Sequence, residues 1–395
     1  MAERGRRIAG ALALGAVTAA TAAAVAGGAI AVGTALARLA VTPARRPAEG
    51  VVVERVEHRD GAVAVRLRGE DAELPGRYSF LFDEGAGHAR LGDVIEARAG
   101  AVVRPVVAVD RGELRPGARG RITGWWYTDP AELGLDCETI VYPTELGDAR
   151  AWLVRPARAK KRRWAVHVHG RGALPEEAIR GAAPLARAGI TSLIISYRND
   201  PGAPAGQHGR YGVGLSESRD VDAAVAEALR RGAERVTLVG WSMGGTACLV
   251  SAARGAHAKS IDGVILDSPA VDWRSLLRHQ AGGRRMPMPV ADIGIRLLDR
   301  GLVRAGEPGG IPFESLTPEA FAHELMVPVL IHASTADTFV PSGPAERLAE
   351  LRPDLVQLRL RDAGEHVKLW NVDPERWERV TEAFARALPR PAWRG

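Results

Sequence analysis

Cysteine is nearly absent: Cys137 and Cys248 are the only thiols in 395 residues. Two thiols build neither a disulfide scaffold nor a thiolate zinc site. No disulfide is expected between them, and Cys248, inside a helical stretch, reads as a small buried hydrophobe. Charge of one sign is also scarce. The formal net charge is +6, but residues 1–50 carry six Arg against two Glu, so the rest of the chain is close to neutral. That balance predicts no nucleic-acid partner, because phosphate binding wants a dense Lys/Arg surface. The one compact basic run, Lys160 to Arg163, sits just before a strand and reads as a solvated loop. Hydrophobic residues at 46% and charged residues at 25% exclude global disorder, a fibrous repeat and a multi-span transporter.

One long uncharged run is present. Thirty residues without a charge lie between Arg7 and Arg38, with Thr18, Thr21 and Thr34 as the only polar side chains. As a helix this run reaches about 45 Å, more than the hydrocarbon core of roughly 30 Å. Residues 1–40 are therefore expected to be a transmembrane anchor or an export signal. With Arg4, Arg6 and Arg7 kept inside, the remainder would be extracytoplasmic. Arg38, Arg45 and Arg46 weigh against that orientation. Cleavage and secretion, or an Ala-rich helix that never meets a membrane, are the other readings.

Pro43, Pro47 and Gly50 mark residues 41–50 as a linker. Short β-prone pieces come next at 51–57, 61–68, 77–82, 101–109 and 119–127, with alternation such as Val63, Val65, Leu67. Residues 51–135 thus form a small β-rich module whose Trp125, Trp126 and Tyr127 are placed to pack on the larger domain. From 136 to 395 the rhythm is strand, loop, helix. Strands are predicted at 151–154, 164–168, 190–195, 235–239, 262–266, 327–332 and 355–360, and helices at 176–188, 217–231, 243–254, 342–351 and 374–388. Near-continuous apolar strands alternating with helices imply a mostly parallel sheet covered on both faces. Residues 268–325 interrupt this rhythm and read as an inserted cap.

Chemistry concentrates at the ends of these strands. The strand Arg235 to Val239 runs into Gly240-Trp241-Ser242-Met243-Gly244-Gly245 and then a helix. In that strand, sharp turn and helix setting, G-x-S-x-G exposes Ser242 as a nucleophile. A serine needs a base and a group that orients it. Asp337 and His366 each come after a later strand, in the order Ser, Asp, His. Asp267 is the alternative acid, though Ser268 and Pro269 give it a turn context. For the oxyanion, one donor is expected from the Met243 N–H. The second is expected in His169-Gly170-Arg171-Gly172, at the Arg171 N–H, with Gly170 or Gly172 as alternatives. The Arg171 side chain either favours an acidic substrate or is merely solvated.

Together these motifs resemble the α/β-hydrolase superfamily over roughly residues 136–390. Ser196-Tyr197-Arg198-Asn199-Asp200 and Tyr211-Gly212-Val213-Gly214, leading to Glu217 and Asp220, look like its serine-aminopeptidase-like and prolyl-oligopeptidase-like branches. The resemblance implies an α/β-hydrolase fold, to which the sequence pattern adds a mostly parallel central sheet, an inserted cap and a small N-terminal β-rich module; with that module, before residue 136, the chain departs from a typical prolyl-oligopeptidase-like enzyme. It also implies acyl-serine hydrolysis of an ester, amide or thioester without a metal; as no cluster of carboxylates is evident to bind a substrate amine, a small or lipid-like ester is expected first, with peptide and thioester substrates as alternatives and no cofactor. A catalytically silent envelope protein is the reading from another class. Gly170, Tyr197, Asn199 and Asp200 would line the substrate entrance or brace the oxyanion loop, and Asp220 would be structural. Leu276, Leu277, Met286, Met288, Ile293, Ile295, Leu297 and Leu298 of the cap either enclose an acyl group or pack within it. The β-rich module is too short for a multi-bladed propeller.

Overall fold

The computed structural model describes residues 26–43, 48–59, 61–158 and 162–389. Residues 51–123 form seven strands: β1 Val51–Arg59, β2 Ala62–Arg68, β3 Tyr78–Phe82, β4 Gly87–Leu91, β5 Glu96–Arg98, β6 Ala101–Arg111 and β7 Arg119–Thr123. Their order is β2-β1-β7-β3-β4-β6-β5, and an antiparallel β2–β6 pairing closes the sheet into a barrel. Closure removes all but a short edge. Val53, Leu67, Phe80, Phe82, Leu91 and Val102 fill the barrel. β4 and β5 escape the sequence pattern because Gly-His-Ala-Arg-Leu and Glu-Ala-Arg carry almost no β-branched or aromatic residue.

The second sheet contains β8 Asp136–Thr144, β9 Gly147–Arg155, β10 Arg163–Val168, β11 Thr191–Ile195, β12 Arg235–Trp241, β13 Ile261–Asp267, β14 Val329–Ser334 and β15 Val356–Arg361. The order is β15-β14-β13-β12-β10-β11-β9-β8. β10 to β15 pair in parallel, while β9 joins β11 and β8 antiparallel. Alternation along each strand feeds two cores. Val166, Leu193, Leu238, Val264 and Ile331 face one side, and Ala165, Ile194, Val239, Ile265 and Leu330 the other. Helices α3 Glu217–Arg230, α4 Met243–Arg254, α7 Pro318–Glu324 and α8 Gly343–Leu351 cover the first face. Helices α2 Ala182–Arg187 and α10 Pro374–Ala387 cover the second, where the short α9 Leu369–Val372 brings Trp370.

The long connection from β13 to β14 holds α5 Trp273–Gly283 and α6 Met288–Asp299. Trp273 Nε1 donates to Thr246 Oγ1 of α4 at 3.1 Å, and Gln280 Nε2 to the Phe339 carbonyl at 2.7 Å. The cap is thus fixed to the Ser242 helix and to the loop of Asp337.

The N-terminal expectation is corrected for the second half of its uncharged run. Residues 26–41 are helical, here α1, and Ala37, Ala40 and Val41 are buried in the same core as the cap. α1 crosses α6 with a glycine on each helix: a Cβ on Gly33 would lie 3.0 Å from Ile293 Cγ2, and one on Gly294 2.7 Å from the Gly33 carbonyl. Small residues let the backbones approach, so one face of this stretch packs on protein while Ile30, Val32 and Leu39 stay exposed. Among the described residues no helix is long and apolar enough to cross a membrane. Residues 1–25 of the expected anchor, and 44–47 of the expected linker, lie outside the described residues.

Candidate active site

The turn after β12 is built by steric exclusion. A Cβ on Gly244 would sit 2.2 Å from the Val168 carbonyl oxygen, and one on Gly240 2.6 Å from that of Gly244. Ser242 itself adopts φ 50°, ψ −116°, a conformation non-glycine residues avoid at a cost of about 1–3 kcal/mol. Its surroundings hold it there: Ser242 N–H donates to the Asp267 carbonyl at 3.0 Å, and its own carbonyl accepts from Gly245 and Ala270. α4 starts at the next residue, so its N-terminal dipole end lies beside the hydroxyl.

The structure brings Ser242, His366 and Asp337 together. Ser242 Oγ lies 2.9 Å from His366 Nε2, and His366 Nδ1 lies 2.8 Å from Asp337 Oδ2. The other Asp337 oxygen accepts from the Phe339 and Val340 amides, both at 2.8 Å, which fixes the carboxylate plane. With Nδ1–H donated to this buried carboxylate, Nε2 is the acceptor facing the serine hydroxyl. Glu365 ties the two loops by accepting from the amide and hydroxyl of Thr338.

Asp267 takes another role. Its oxygens accept from Trp377 Nε1 at 2.8 Å and Ser268 Oγ at 3.1 Å. Burial pushes its carboxyl up to about 6, against the pull of Arg180 and these hydrogen bonds. Ser268 Oγ in turn accepts from the Val367 amide at 3.1 Å, so Asp267 braces the His366 loop from below.

At the oxyanion loop, Gly170 N–H donates to Glu177 Oε2 at 2.7 Å and Gly172 N–H to Tyr211 Oη at 3.1 Å. Among the described residues, the Arg171 and Met243 N–H groups have no acceptor in the protein. Gly170 is pressed against the serine: a Cβ there would be 3.1 Å from Ser242 Cβ. Tyr197 and Asp200 are buried under this loop. Tyr197 Oη donates to the Gly170 carbonyl at 3.0 Å, and Asp200 Oδ2 accepts from His169 Nε2 at 2.9 Å. Burial pulls the His169 imidazole down, but Asp200 and the Gly170 carbonyl, both facing it, hold it above its ordinary value. Asn199 donates to the Arg210 carbonyl and accepts from the Gly206 amide. Asp220 pairs with buried Arg198 at 2.6 Å.

Sequence reasoning missed Glu177, Arg180 and Phe339. Arg180 is buried and donates to the carbonyls of Val367 and Gly124 and to Asn371 Oδ1. Phe339 stands with its ring centroid 5.0 Å from that of His366. In a helical stretch Glu177 and Arg180 look like solvated charges, and only Phe339, two residues after Asp337, carried a positional signal. Among the described residues no group of three or more His, Cys, Asp or Glu could hold a metal. The thiols of Cys137 and Cys248 are free.

Residues 52–123, almost the whole barrel, match a family described as a domain of unknown function (DUF8805). No curated protein matches the chain. Among solved structures, the Pyrococcus furiosus esterase Pf2001 is similar at TM-score 0.52 and 18% identity over 66% of this chain and 96% of that one. The acylaminoacyl peptidase of Pyrococcus horikoshii aligns at TM-score 0.48 and 16% identity, over 84% of this chain and 54% of that one. At such identity the likeness to the esterase speaks to architecture: the mostly parallel sheet, its helices and the serine turn have the α/β-hydrolase fold.

Proposed function

We propose that the protein is a serine hydrolase acting on carboxylic esters. The observation that carries this reading is the Ser242–His366–Asp337 hydrogen-bonded chain beside two N–H groups without protein acceptors. Ser242 Oγ attacks the acyl carbonyl while His366 Nε2 takes its proton; Asp337 stabilises the imidazolium. The oxyanion accepts from Met243 and Arg171 N–H, donors of a kind worth about 10²–10³ in rate each. His366 then returns the proton to the leaving oxygen and later activates water, which cleaves the acyl-serine.

Esters are favoured over aminoacyl amides by the apolar pocket that Arg171 and Phe339 help to line, which among the described residues includes no Asp or Glu to bind a substrate amine. Purified protein is expected to react with a fluorophosphonate probe at Ser242 and to cleave nitrophenyl esters faster than aminoacyl amides. Ser242→Ala should abolish labelling while leaving the fold intact. Labelling that survives in Ser242→Ala would overturn the nucleophile, and a preference for aminoacyl amides would turn the reading to a peptidase. Extracytoplasmic placement is part of the same proposal and rests on the basic start and uncharged run. Protease added to intact cells should then reach residues beyond 50.

A further inference from the structure

An apolar pocket lies between α1 and the cap. It holds about 650 Å³ of space between atoms, part of it open to solvent. Leu276, Ile295 and Leu298 of the cap form one wall and Leu36 and Leu39 of α1 the other. Phe339, which packs on His366, and Arg171, whose N–H has no acceptor among the described residues, also line it and connect it to the site, although Ser242, Asp337 and His366 do not line it themselves. Of the other cap residues expected to enclose an acyl group, Leu277 also faces this pocket, whereas Ile293 packs on Gly33 and Leu297 on the core.

Two features set this pocket apart from a bare apolar slot. The α1 wall is tied to the oxyanion loop, since Arg171 Nη1 donates to the Leu39 carbonyl at 3.4 Å and Tyr211 N–H to that of Val41 at 2.8 Å. The side chains of Arg171 and Arg284 both line it, and among the described residues neither has a carboxylate partner; Arg284 donates only to Gln280. Burial pulls the Arg171 guanidinium down, and the charge of Arg284 adds to this. Half-buried Arg171 and exposed Arg284, two cations at an apolar pocket with no carboxylate partner among the described residues, are complementary to a ligand that brings both a chain and an anion.

We propose that this pocket is the acyl subsite, with α1 as one of its walls, and that the substrate is an anionic amphiphile: an ester of an apolar acyl chain carrying a carboxylate or phosphate that meets Arg171 and Arg284. This rests on the serine-hydrolase reading. The Leu36 and Leu39 side chains then set the chain length accepted, and the segment that precedes the barrel is a working part of the site.

The test compares kcat/KM for nitrophenyl esters of graded chain length and for two charge pairs: nitrophenyl octanoate against the octanoate of a carboxy-nitrophenol, and octanoylglycerol against octanoylglycerol phosphate. The second pair separates phosphate from carboxylate as the anion. Leu36→Trp, or Leu39→Trp at the exposed mouth, should move the optimum to shorter chains. Arg284→Gln and Arg171→Met should each lower the anionic-to-neutral ratio about tenfold at low salt, with less effect in high salt. An unchanged chain-length optimum in both Trp variants, each still labelled at Ser242, overturns the pocket. An unchanged ratio in both arginine variants for both pairs overturns the anionic substrate. Failure of the wild type to label at Ser242 would instead remove the hydrolase reading itself.

Discussion

The guanidinium of Arg180 donates to the carbonyl of Gly124 at 2.9 Å, joining the end of the barrel to the second face of the large sheet. The same side chain reaches the Val367 carbonyl, next to His366, at 2.7 Å. Asn371 closes the contact by donating to the Arg77 and Gly124 carbonyls, and Lys368 pairs with Asp71 at its rim. The barrel therefore packs on the loop that presents His366. Inside the barrel, buried Arg104 holds the adjoining 72–76 turn through the Ala72, Leu74 and Gly76 carbonyls.

Arg180 is accordingly expected to position His366. Arg180→Met should cost about 1–3 kcal/mol for each carbonyl left without a donor. It should also slow fluorophosphonate labelling at temperatures where the variant is fully folded. A purely structural role would lower the melting temperature and leave the labelling rate of the folded protein unchanged.

The two buried aspartates should separate cleanly. Asp337→Asn removes the acceptor that fixes the His366 tautomer and should cut acylation by about 10⁴. Asp267→Asn should cost less than about tenfold. Single-turnover acylation of both variants decides the assignment, and a reversed order would make Asp267 the acid.

Asp267 also predicts a pH signature. Its folded value near 6 lies above that of an unfolded aspartate, so its contribution is present below about pH 3.9 and is lost as pH rises through about 6. Relative to wild type, Asp267→Asn should therefore gain roughly 2 kcal/mol between pH 4 and 7. Urea unfolding at the two pH values measures it.

His167 and His332 act in the opposite direction. Burial pushes both imidazoles down to about 3, so the stability they contribute is present above the unfolded value near 6.5 and is lost as pH falls toward about 3. Each should add a slope of about 1.4 kcal/mol per pH unit below 6.5. His332→Gln should remove one such slope in urea titrations between pH 7 and 5.

The helix crossing at Gly33 and Gly294 offers a mechanical test. Gly294→Val places a side chain against the Gly33 backbone and should lift α1 from the cap, at about 1–3 kcal/mol. Limited proteolysis should then cut more readily ahead of Gly50, whereas unchanged cleavage would mean that the crossing tolerates a branched side chain.

Much of the architecture and the triad was legible in the sequence. The parallel strands from Arg163 to Ser334 announce themselves because a sheet covered on both faces needs continuous apolar runs. The turn at Ser242 announces itself because only glycine fits beside Val168 and Gly245. Turn sterics and strand burial are local, so they leave a local pattern at predictable places along the chain. Other features were decided by contacts between distant segments. β2 pairs with β6 across the barrel, α1 lies on the cap instead of standing alone, and Arg180 is enclosed by Gly124, Val367 and Asn371. In sequence, most of α1 belongs to an uncharged run with the composition of a membrane span, and Arg180 is an ordinary helix charge. The role of each depends on what surrounds it, and that surrounding is assembled only when segments far apart in the chain meet.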